Sequence, residues 1–453
     1  MPPFVDRDAE ITDLLHRLRG EGPQLLILYG RRRVGKTRLV KELFDRLEGR
    51  PRLYYLATLK ESRLQLQDLQ RDLAQATADP LLAGRPFEEW EPLLLYLAQR
   101  HPNLVLALDE FPYLLSADPA LASVLQKVWD EHGKGAGVKW LLLGSQLGVM
   151  ERLLAGSSPL YGRRTGAWKV RPMGFLELCT FGGVRGLEAL RYFGVCGGMP
   201  YYWEQFAFDD FAGEVERAVW RRGGPLYDEG EFLLREELRE PREYFSILQV
   251  LARGPRRLGH IATAVGKKQT GISKYLDVLQ GLEMVRRELP VTRQHRKGSR
   301  GLYRIHDPFL RFWFRYVFPQ RSLLEMGEVE AVAARFRDSY PEFLALTYEE
   351  VALELLLRRA RATGLAVERW GRWWPERGGS RFELDVVVVG EGEAWCLEAK
   401  IGSRPRLGRF REAAAAFLAD ARANGLALRR ARLFAFEADG AFEGKEVGVV
   451  QAG

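Results

Sequence analysis

The chain has 453 residues, of which 46% are hydrophobic and 28% charged, which is ordinary for a globular protein of about three domains. No apolar run approaches the ~18 residues of a membrane span, and the N-terminus lacks the apolar region of a signal peptide, so no membrane partner is expected. Three isolated cysteines, Cys179, Cys196 and Cys396, argue against a disulfide framework or a zinc site and favour the cytoplasm.

The first part of the chain alternates between buried strands and helices. Residues 24–29 have the pattern of a buried strand that enters a Gly-rich turn, and residues 36–47 have the period of a helix. Further strands are predicted at 104–108 and 140–143. Such alternation indicates a mostly parallel sheet, so the sequence predicts a multidomain α/β protein whose first domain spans residues 1–170.

Residues 30–37, Gly-Arg-Arg-Arg-Val-Gly-Lys-Thr, form a complete phosphate-binding loop (P-loop) between the first strand and its helix. Gly30 and Gly35 allow backbone conformations that point amide N–H groups at phosphates. Lys36 supplies a positive charge to the β- and γ-phosphates, and the Thr37 hydroxyl can ligate Mg²⁺. The sequence therefore predicts ATP and Mg²⁺ as cofactors. The predicted nucleotide-binding residues are Gly30, Arg33, Gly35, Lys36, Thr37, Arg38, Asp109 and Ser145.

Acidic and polar residues follow the next two strands. Asp109 is placed to hold Mg²⁺ through water, and Glu110 to polarise the attacking water. A solvated acidic turn is the alternative. Ser145 or Gln146 could sense the γ-phosphate, or could simply cap the strand.

Two further pairs of residues are candidates for the same site. Arg163 or Arg164 could act as an arginine finger or sensor, either within the chain or across a subunit boundary in a homo-oligomer. The alternative is two surface arginines without a role. Arg7 and Glu10 could lie near the adenine, or on a plain surface helix.

The middle of the chain is helical and then strongly basic. Residues 171–240 are predicted to form a helical lid. Residues 241–311 have the order of a winged helix-turn-helix, namely three helices, a strand, a basic loop and a strand. Residues 242–311 contain fifteen Lys or Arg against five Asp or Glu, a balance of +10 in a chain whose net charge is +8. Residues 312–340 are a connector, and 341–453 form a further α/β domain.

The charge of this segment predicts DNA as a partner, with a structural or protein-binding module as the alternative. In a winged helix the third helix enters the major groove and the wing contacts the backbone. Gln269 and Thr270 are expected near base edges, with Ser273, Gln294 and His295 nearby. The predicted DNA contacts are Lys267, Lys268, Gln269, Thr270 and Lys274 in the third helix, and Arg293, Arg296, Lys297 and Arg300 in the wing.

The last domain carries two carboxylates and a lysine on successive predicted strands. Asp385 and Glu398 can meet across adjacent strands and hold Mg²⁺ or Mn²⁺, with Glu349 of the preceding helix as a further ligand. Lys400 lies two residues beyond Glu398, on the same face of its strand, where it can stabilise a hydroxide or a phosphorane. A second Glu-x-Lys, at 443–445, lacks a preceding strand with an acid at a useful spacing. The alternative is a set of surface acids or a decayed site.

Nearly the whole chain resembles a known combination of domains. The first 240 residues are similar to archaeal-type ATPases, which are relatives of the STAND and AAA+ groups, and residues 303–314 to an uncharacterised module fused behind them. The similarity lies in Phe-Val-Asp-Arg-Asp-Ala-Glu at 4–10, the P-loop, Leu-Asp-Glu-Phe-Pro-Tyr at 108–113, Leu-Leu-Leu-Gly-Ser at 141–145 and Leu-Tyr-Gly-Arg-Arg-Thr-Gly at 160–166.

The C-terminal domain resembles the PD-(D/E)XK nucleases. In that family the residues that match Asp385, Glu398 and Lys400 form the metal and catalytic site; no proline precedes Asp385 here, as in many members. The resemblance implies an ATPase whose C-terminal domain cuts DNA. A regulatory switch with an inactive nuclease-like domain is the rival interpretation, and a DNA-remodelling ATPase is a third. The expected catalytic residues are Glu110, Arg163, Arg164, Asp385, Glu398 and Lys400.

Overall fold

A computed structural model describes residues 4–84, 86–133, 137–238, 240–294, 301–375, 382–401, 406–437 and 445–452. The chain divides into two compact units. The first unit contains Phe4–Pro172 and Met199–Tyr201, and the second contains Met173–Gly198 and the chain from Tyr202 onward.

The first unit is built on a parallel sheet, as the alternation of strands and helices predicts. The strands run in the spatial order second, third, fourth, first, fifth, and every pair is parallel. The three predicted strands are its centre, and their apolar runs are buried on both faces, as parallel strands require. The five strands are β1 (Gln24–Tyr29), β2 (Arg52–Leu56), β3 (Val105–Asp109), β4 (Lys139–Gly144) and β5 (Gly166–Lys169).

Helices connect these strands and bury the sheet. Leu25 and Ile27 of β1 join a core with leucines of the helices before β3 and β4. A π-helical turn, Trp129–Gly133, leads towards β4. The helices of this unit are α1 (Asp8–Arg19), α2 (Lys36–Arg46), α3 (Ser62–Thr77), α4 (Pro80–Ala83), α5 (Trp90–Arg100), α6 (Phe111–Ala117), α7 (Leu121–Val128) and α8 (Leu147–Leu154).

The second unit begins with short helices over the segment predicted to be helical. Buried aromatic side chains, among them Tyr192, Trp203 and Trp220, fill the space between them. These helices are α9 (Phe175–Gly182), α10 (Gly186–Cys196), α11 (Pro200–Trp203), whose first two residues belong to the first unit, α12 (Phe211–Val215), a π-helical stretch at Glu216–Trp220, and α13 (Glu229–Glu237).

Three helices and a two-stranded hairpin follow, in the predicted order. Ile247, Ile261, Ile272 and Leu276 are buried where the three helices meet. In the hairpin, Val285 lies opposite Ile305 in an antiparallel pair. The elements are α14 (Arg242–Leu251), α15 (Leu258–Val265), α16 (Gln269–Gly281), β6 (Val285–Glu288), a 3₁₀ turn at Val291–Arg293, and β7 (Leu302–Ile305).

One long helix contains both the end of the predicted connector and the start of the domain predicted after it. A 34-residue helix starts at Val329 and passes through Pro341, so the predicted boundary at residue 341 falls inside a helix. Phe336, Tyr340 and Phe343 of this helix pack against one another, and each contacts Phe312 edge to face. The elements are α17 (Pro308–Phe312), a π-helical turn at Trp313–Val317, a 3₁₀ turn at Phe318–Gln320, α18 (Arg321–Glu325) and α19 (Val329–Ala362).

The chain ends in a second sheet. Its five strands lie side by side in the order in which they occur along the chain. Neighbouring strands are antiparallel except the third and fourth strands of the domain, which are parallel and joined by a helix. That helix buries Phe410, Ala414 and Phe417 against Val387 and Cys396. The elements are β8 (Val367–Trp373), β9 (Leu384–Gly390), β10 (Glu393–Lys400), α20 (Leu407–Ala423), β11 (Arg430–Glu437) and β12 (Lys445–Gln451).

Candidate active sites

The phosphate-binding loop joins β1 to α2, as predicted. Gly35 has a φ of 97°, in the region that favours glycine, and Arg33 is also left-handed. A Cβ on Gly30 would lie 2.3 Å from the carbonyl oxygen of Val170, so no larger residue fits there. Lys36 Nζ donates to the carbonyl oxygens of Gly30 (3.0 Å) and Arg31 (3.1 Å). The lysine is therefore buried within the loop that it would serve.

Asp109, at the end of β3, is the centre of a polar cluster beside this loop. Its Oδ2 accepts hydrogen bonds from Thr37 Oγ1 (2.8 Å) and from the Tyr54 hydroxyl (2.6 Å). Its Oδ1 accepts from the backbone N–H of Glu110. Burial and the neighbouring carboxylate raise the pKa of Tyr54, which therefore keeps its proton and stays a donor. The Thr37 hydroxyl and the Asp109 carboxylate are oxygen ligands that Mg²⁺ prefers, so the predicted pair fits the ion.

Glu110 and Ser145 come together at the carboxyl ends of β3 and β4. Ser145 Oγ donates to Glu110 Oε2 at 2.8 Å, and Glu110 itself has a left-handed backbone. Ser145 is buried, so its hydroxyl fixes the position of the glutamate. Gln146 follows as the residue that precedes α8.

Other residues predicted for this site surround the loop. The guanidinium of Arg33 lies 4.3 Å from the centre of the Tyr201 ring. Arg38 is half-buried in the first turn of α2. Arg7 is buried and donates to the carbonyl oxygens of Val34 (3.2 Å) and Arg171 (2.7 Å). Through these hydrogen bonds Arg7 stabilises the phosphate-binding loop. Its guanidinium also forms an ion pair with Glu10 at 3.6 Å.

Arg163 and Arg164 lie at the opposite end of the parallel strands from the phosphate-binding loop. They precede Thr165, whose N–H donates to the carbonyl of Leu25 at the start of β1, whereas the loop follows the end of β1. The length of the strand separates them from the loop by roughly 13 Å. Arg163 forms a two-pronged ion pair with Asp130, and Arg164 donates to the carbonyl of Leu154. An arginine finger within the chain does not fit this placement, and action on a neighbouring subunit stays a prediction.

The start of α16 presents several of the predicted DNA contacts. The side chains of Lys268, Gln269, Thr270 and Lys274 are exposed. Lys267 is also exposed but forms an ion pair with Glu243 at 2.9 Å. Arg296, Lys297 and Arg300, together with His295, lie outside the described residues.

Arg293 has a different role from the predicted one. Its guanidinium pairs with Asp420 of α20 at 3.2 Å, and only 14% of the side chain is exposed. Thr292 donates to the same carboxylate at 2.7 Å, and Gln294 donates to the carbonyl of Trp370 at 2.6 Å. The loop between β6 and β7 therefore begins with residues that contact the C-terminal sheet domain. One of them is Arg293, which was expected to contact DNA and is instead paired with Asp420.

The predicted nuclease residues meet where β9 and β10 separate. The paired register ends with Val386 opposite Leu397, so Asp385 and Glu398 are the next residues on the two strands. Asp385 Oδ2 accepts from the Ala399 N–H at 3.1 Å, and Lys400 Nζ lies 3.3 Å from Glu398 Oε1. Burial raises the pKa of Asp385. A carboxylate pair and a lysine are thus brought together, as the spacing predicts.

Glu349 does not complete a set of three ligands. Its carboxylate lies 3.5 Å from the guanidinium of Arg372, and burial raises its pKa to about 8, with Asp385 adding to the shift. Within the described ranges, no group of three or more His, Cys, Asp or Glu side chains could hold a metal ion. The expectation that Glu349 binds the ion together with Asp385 and Glu398 is therefore not met within these ranges. The other two carboxylates fit as a pair of oxygen ligands.

Comparisons with known proteins fit the first of these sites. Residues 4–206 match a family model described as an ATPase domain predominantly from Archaea, and residues 313–407 match one described as archaeal and bacterial proteins of unknown function. A protein of Methanocaldococcus jannaschii, "Uncharacterized protein MJECL04", is 32% identical over 404 residues, which is 88% of this chain and 87% of that protein.

The chain belongs to the family of that protein. It carries an archaeal-type ATPase domain, which confirms the predicted P-loop ATPase with ATP as its nucleotide. The family match to residues 313–407 contains the whole of α19 and of the last sheet's first three strands, β8, β9 and β10.

A solved Walker-type ATPase agrees with the fold of the P-loop part of the chain. A Walker-type ATPase of Pyrococcus abyssi, PABY2304, is 20% identical with a TM-score of 0.50, covering 69% of this chain and 96% of that one. The ORC2 protein of Aeropyrum pernix, solved as ADPNP–ADP complexes, is 16% identical with a TM-score of 0.45, covering 75% and 97%. Among helices in the described part of this family member, none is long and apolar enough to cross a membrane.

Proposed function

We propose that this ATPase binds DNA and that its C-terminal domain cuts DNA with Mg²⁺ or Mn²⁺. The observation that carries the proposal is the meeting of Asp385, Glu398 and Lys400 at the ends of β9 and β10. Two carboxylates with a lysine beside them are the groups that metal-assisted phosphodiester hydrolysis requires. The sequence resemblance to PD-(D/E)XK nucleases points to the same three residues.

At the nuclease site each residue has a separate task. Asp385 and Glu398 would hold the metal ion, which supplies a hydroxide nucleophile and neutralises charge on the scissile phosphate. The ammonium of Lys400 would stabilise the negative charge that develops on that phosphate. The hydrogen bond from Ala399 N–H fixes one oxygen of Asp385 and leaves its other oxygen for the ion.

At the ATP site the chain positions the phosphates and the attacking water. Lys36 would neutralise the β- and γ-phosphates, and Thr37 and Asp109 would hold Mg²⁺. Glu110, fixed by the Ser145 hydroxyl at 2.8 Å, would orient the attacking water. Binding or hydrolysis of ATP would then change the conformation or the oligomeric state and license cleavage. In a homo-oligomer, Arg163 or Arg164 would act on the site of a neighbouring subunit.

The proposed DNA surface is the start of α16, within a winged helix formed by α14, α15, α16 and the β6–β7 hairpin. Lys268 and Lys274 are exposed and have no carboxylate partner within the described ranges, so their charges are available to phosphates. Gln269 and Thr270 lie between them and would face base edges. The wing residues Arg296, Lys297 and Arg300 would add phosphate contacts.

A cleavage assay tests the proposal. Linear, single-stranded and branched DNA are incubated with Mg²⁺ or Mn²⁺, with and without ATP, and Lys400→Ala is compared with the wild type. Lys445→Ala is the matched control, because Lys445 belongs to the second Glu-x-Lys of the chain and is exposed. We expect cutting by the wild type and by Lys445→Ala, and its loss in Lys400→Ala with ATP turnover intact.

The pairing of Glu349 with Arg372 favours a second candidate, a regulatory switch. In this alternative the ATPase and the winged helix bind DNA or a protein, and the nuclease-like domain is structural. The same cleavage assay distinguishes the nuclease from the regulatory switch. ATP hydrolysis and DNA binding without any cutting would reject the nuclease and support the switch.

A further inference from the structure

A cavity of about 250 Å³ lies in the second unit, next to the nuclease-like sheet. At roughly 30 Å³ per water molecule it has room for about eight waters, which is enough for a small solute. Its walls come from the end of α14, from β7 and α17, from the middle of α19 and from β8. No residue of the ATP site or of the α16 surface lines it.

The lining of the cavity is rich in arginine. Five of its side chains are arginines, against two glutamates, and they approach from different elements, so their charges converge on one space. Guanidinium groups bind phosphate through paired N–H donors in a planar fork. The arginines are Arg253, Arg304, Arg311, Arg315 and Arg372, and the glutamates are Glu342 and Glu349.

The protein itself neutralises some of these arginines but not all of them. Arg304 pairs with Glu288 and Glu350, and Arg372 with Glu349. In contrast, neither Arg253 nor Arg315 has an Asp or Glu partner within 4 Å among the residues that the structure describes. Two positive charges of the lining are therefore left for a ligand.

Arg311 adds a further positive charge to the wall of the cavity. Its side chain is 95% buried, and its Nη2 is occupied by Glu350 (3.0 Å) and Thr347 (2.8 Å). Its Nε, however, has no hydrogen-bond acceptor in the described part of the chain. This nitrogen is buried away from the cavity, so Arg311 contributes positive charge to the wall and does not offer this N–H to a ligand.

We propose that this cavity is a binding site for a small molecule that carries a phosphate group, held by Arg253 and Arg315. Two guanidinium groups without a carboxylate partner, in a lining of five arginines and two glutamates, match the several oxygens and the double charge of a phosphate. Binding there needs neither ATP turnover nor DNA cleavage, so the proposal goes beyond the proposed function, although Glu349 of the lining is electrostatically linked to Asp385.

Calorimetric titration of the full-length protein with pyrophosphate tests this site. The Lys36→Ala background removes the main phosphate contact of the ATP site, so that binding reports on the cavity. Into that background we introduce Arg253→Ala or Arg315→Ala, and Arg361→Ala as the control. Arg361 is exposed and lies outside the cavity, so it matches the loss of one positive charge.

We expect pyrophosphate to bind the Lys36→Ala protein, and each cavity variant to weaken its binding at least tenfold. Arg361→Ala should leave the affinity unchanged, and Arg315→Lys should fall between. Thermal melts confirm that each variant is folded. AMP and a 5′-phosphorylated single-stranded DNA serve as further probes. Absence of pyrophosphate binding, equal affinities in all variants, or Arg315-dependent binding of the DNA alone would each overturn the proposal.

Discussion

Lys36 is buried against the backbone of the loop that it serves, with its ammonium held by two carbonyl oxygens. This placement positions a charge for the β- and γ-phosphates before nucleotide arrives. We expect Lys36→Ala to lower ATP turnover by at least about 100-fold, the usual cost of losing one electrostatic contact to a transition state. A phosphate-release assay measures this. Lys41→Ala, an exposed lysine of the same helix, should turn over ATP normally; normal turnover in Lys36→Ala would refute the assignment.

The residues of the ATP site could be predicted because most are local to the sequence. Lys36 and Thr37 are part of one motif, and Asp109 follows an apolar run that can only be a strand. Tyr54 could not be found in this way. It reaches Asp109 because β2 lies beside β3, and strand order within a sheet leaves no signal in residue spacing.

Long-range contacts also decide which charged residues remain available. Arg293 is a type of residue that often contacts DNA, but its guanidinium is paired with Asp420, which lies 127 residues away along the chain. Glu349 was expected to bind metal, yet Arg372 pairs with it. By contrast, Asp385, Glu398 and Lys400 were predicted together because adjacent strands of a hairpin have a register that short spacing determines.

Among the elements, α4 depends on a single carboxylate at its start. Asp79 accepts from the N–H of Leu81 and from the Tyr96 hydroxyl, and lies 2.7 Å from the His101 ring. These contacts, led by the Tyr96 hydrogen bond, lower the pKa of Asp79 to about 2. A carboxyl with a lowered pKa stabilises the fold above its ordinary pKa of about 4, and this contribution is lost as pH falls through about 2.

Asparagine can still cap the helix but carries no charge, so we expect Asp79→Asn to reduce the free energy of unfolding by about 1–2 kcal/mol at pH 7, the value of the contacts that favour the charged carboxylate. The difference from wild type should shrink between about pH 4 and pH 2. Urea unfolding at several pH values measures both. A difference that stays constant across this range would show that the charge of Asp79 has no part in its effect.

The sequence did not predict the full extent of α19, because the expected boundary at residue 341 falls inside it. Proline usually ends or kinks a helix, since it lacks an N–H and its ring crowds the preceding turn. Here Pro341 lies inside one helix, while Tyr340 and Phe343 on either side stack on neighbouring rings. Aromatic burial outweighs the local preference, and no single-residue signal reports it.

It follows that Pro341→Ala should stabilise the protein. Alanine restores the N–H at an exposed position of the helix, and a gain of about 1–3 kcal/mol is expected from the difference in helix propensity. Denaturant unfolding measures the change. As a control, Ala345→Pro, four residues later on an exposed position of the same helix, should destabilise by a similar or larger amount. Loss of stability in Pro341→Ala would mean that the proline is required for the packing of the helix.

In the molecule as a whole, Asp420 joins the three-helix segment to the last sheet domain. Its carboxylate accepts from Thr292, Arg293 and Trp373. Asp420→Ala removes the acceptor that these three side chains share, and we expect a loss of about 2–4 kcal/mol. Thermal unfolding measures the loss, with Asp338→Ala, an exposed acid of α19, as the control. Unchanged stability would show that the two parts are held by other contacts.

The docking of residues 291–294 has a geometric consequence. The segment is fixed to Asp420 and Trp370, and Arg304 and Arg311 tie the same three-helix region to α19 through Glu350. With two separate attachments, α16 is held at a fixed separation from Asp385, at the start of β9, and Glu398, near the end of β10. Under the proposed function, a duplex bound by α16 would meet these carboxylates at a constant distance from its binding site, so the position of cutting along the DNA would be set by that distance.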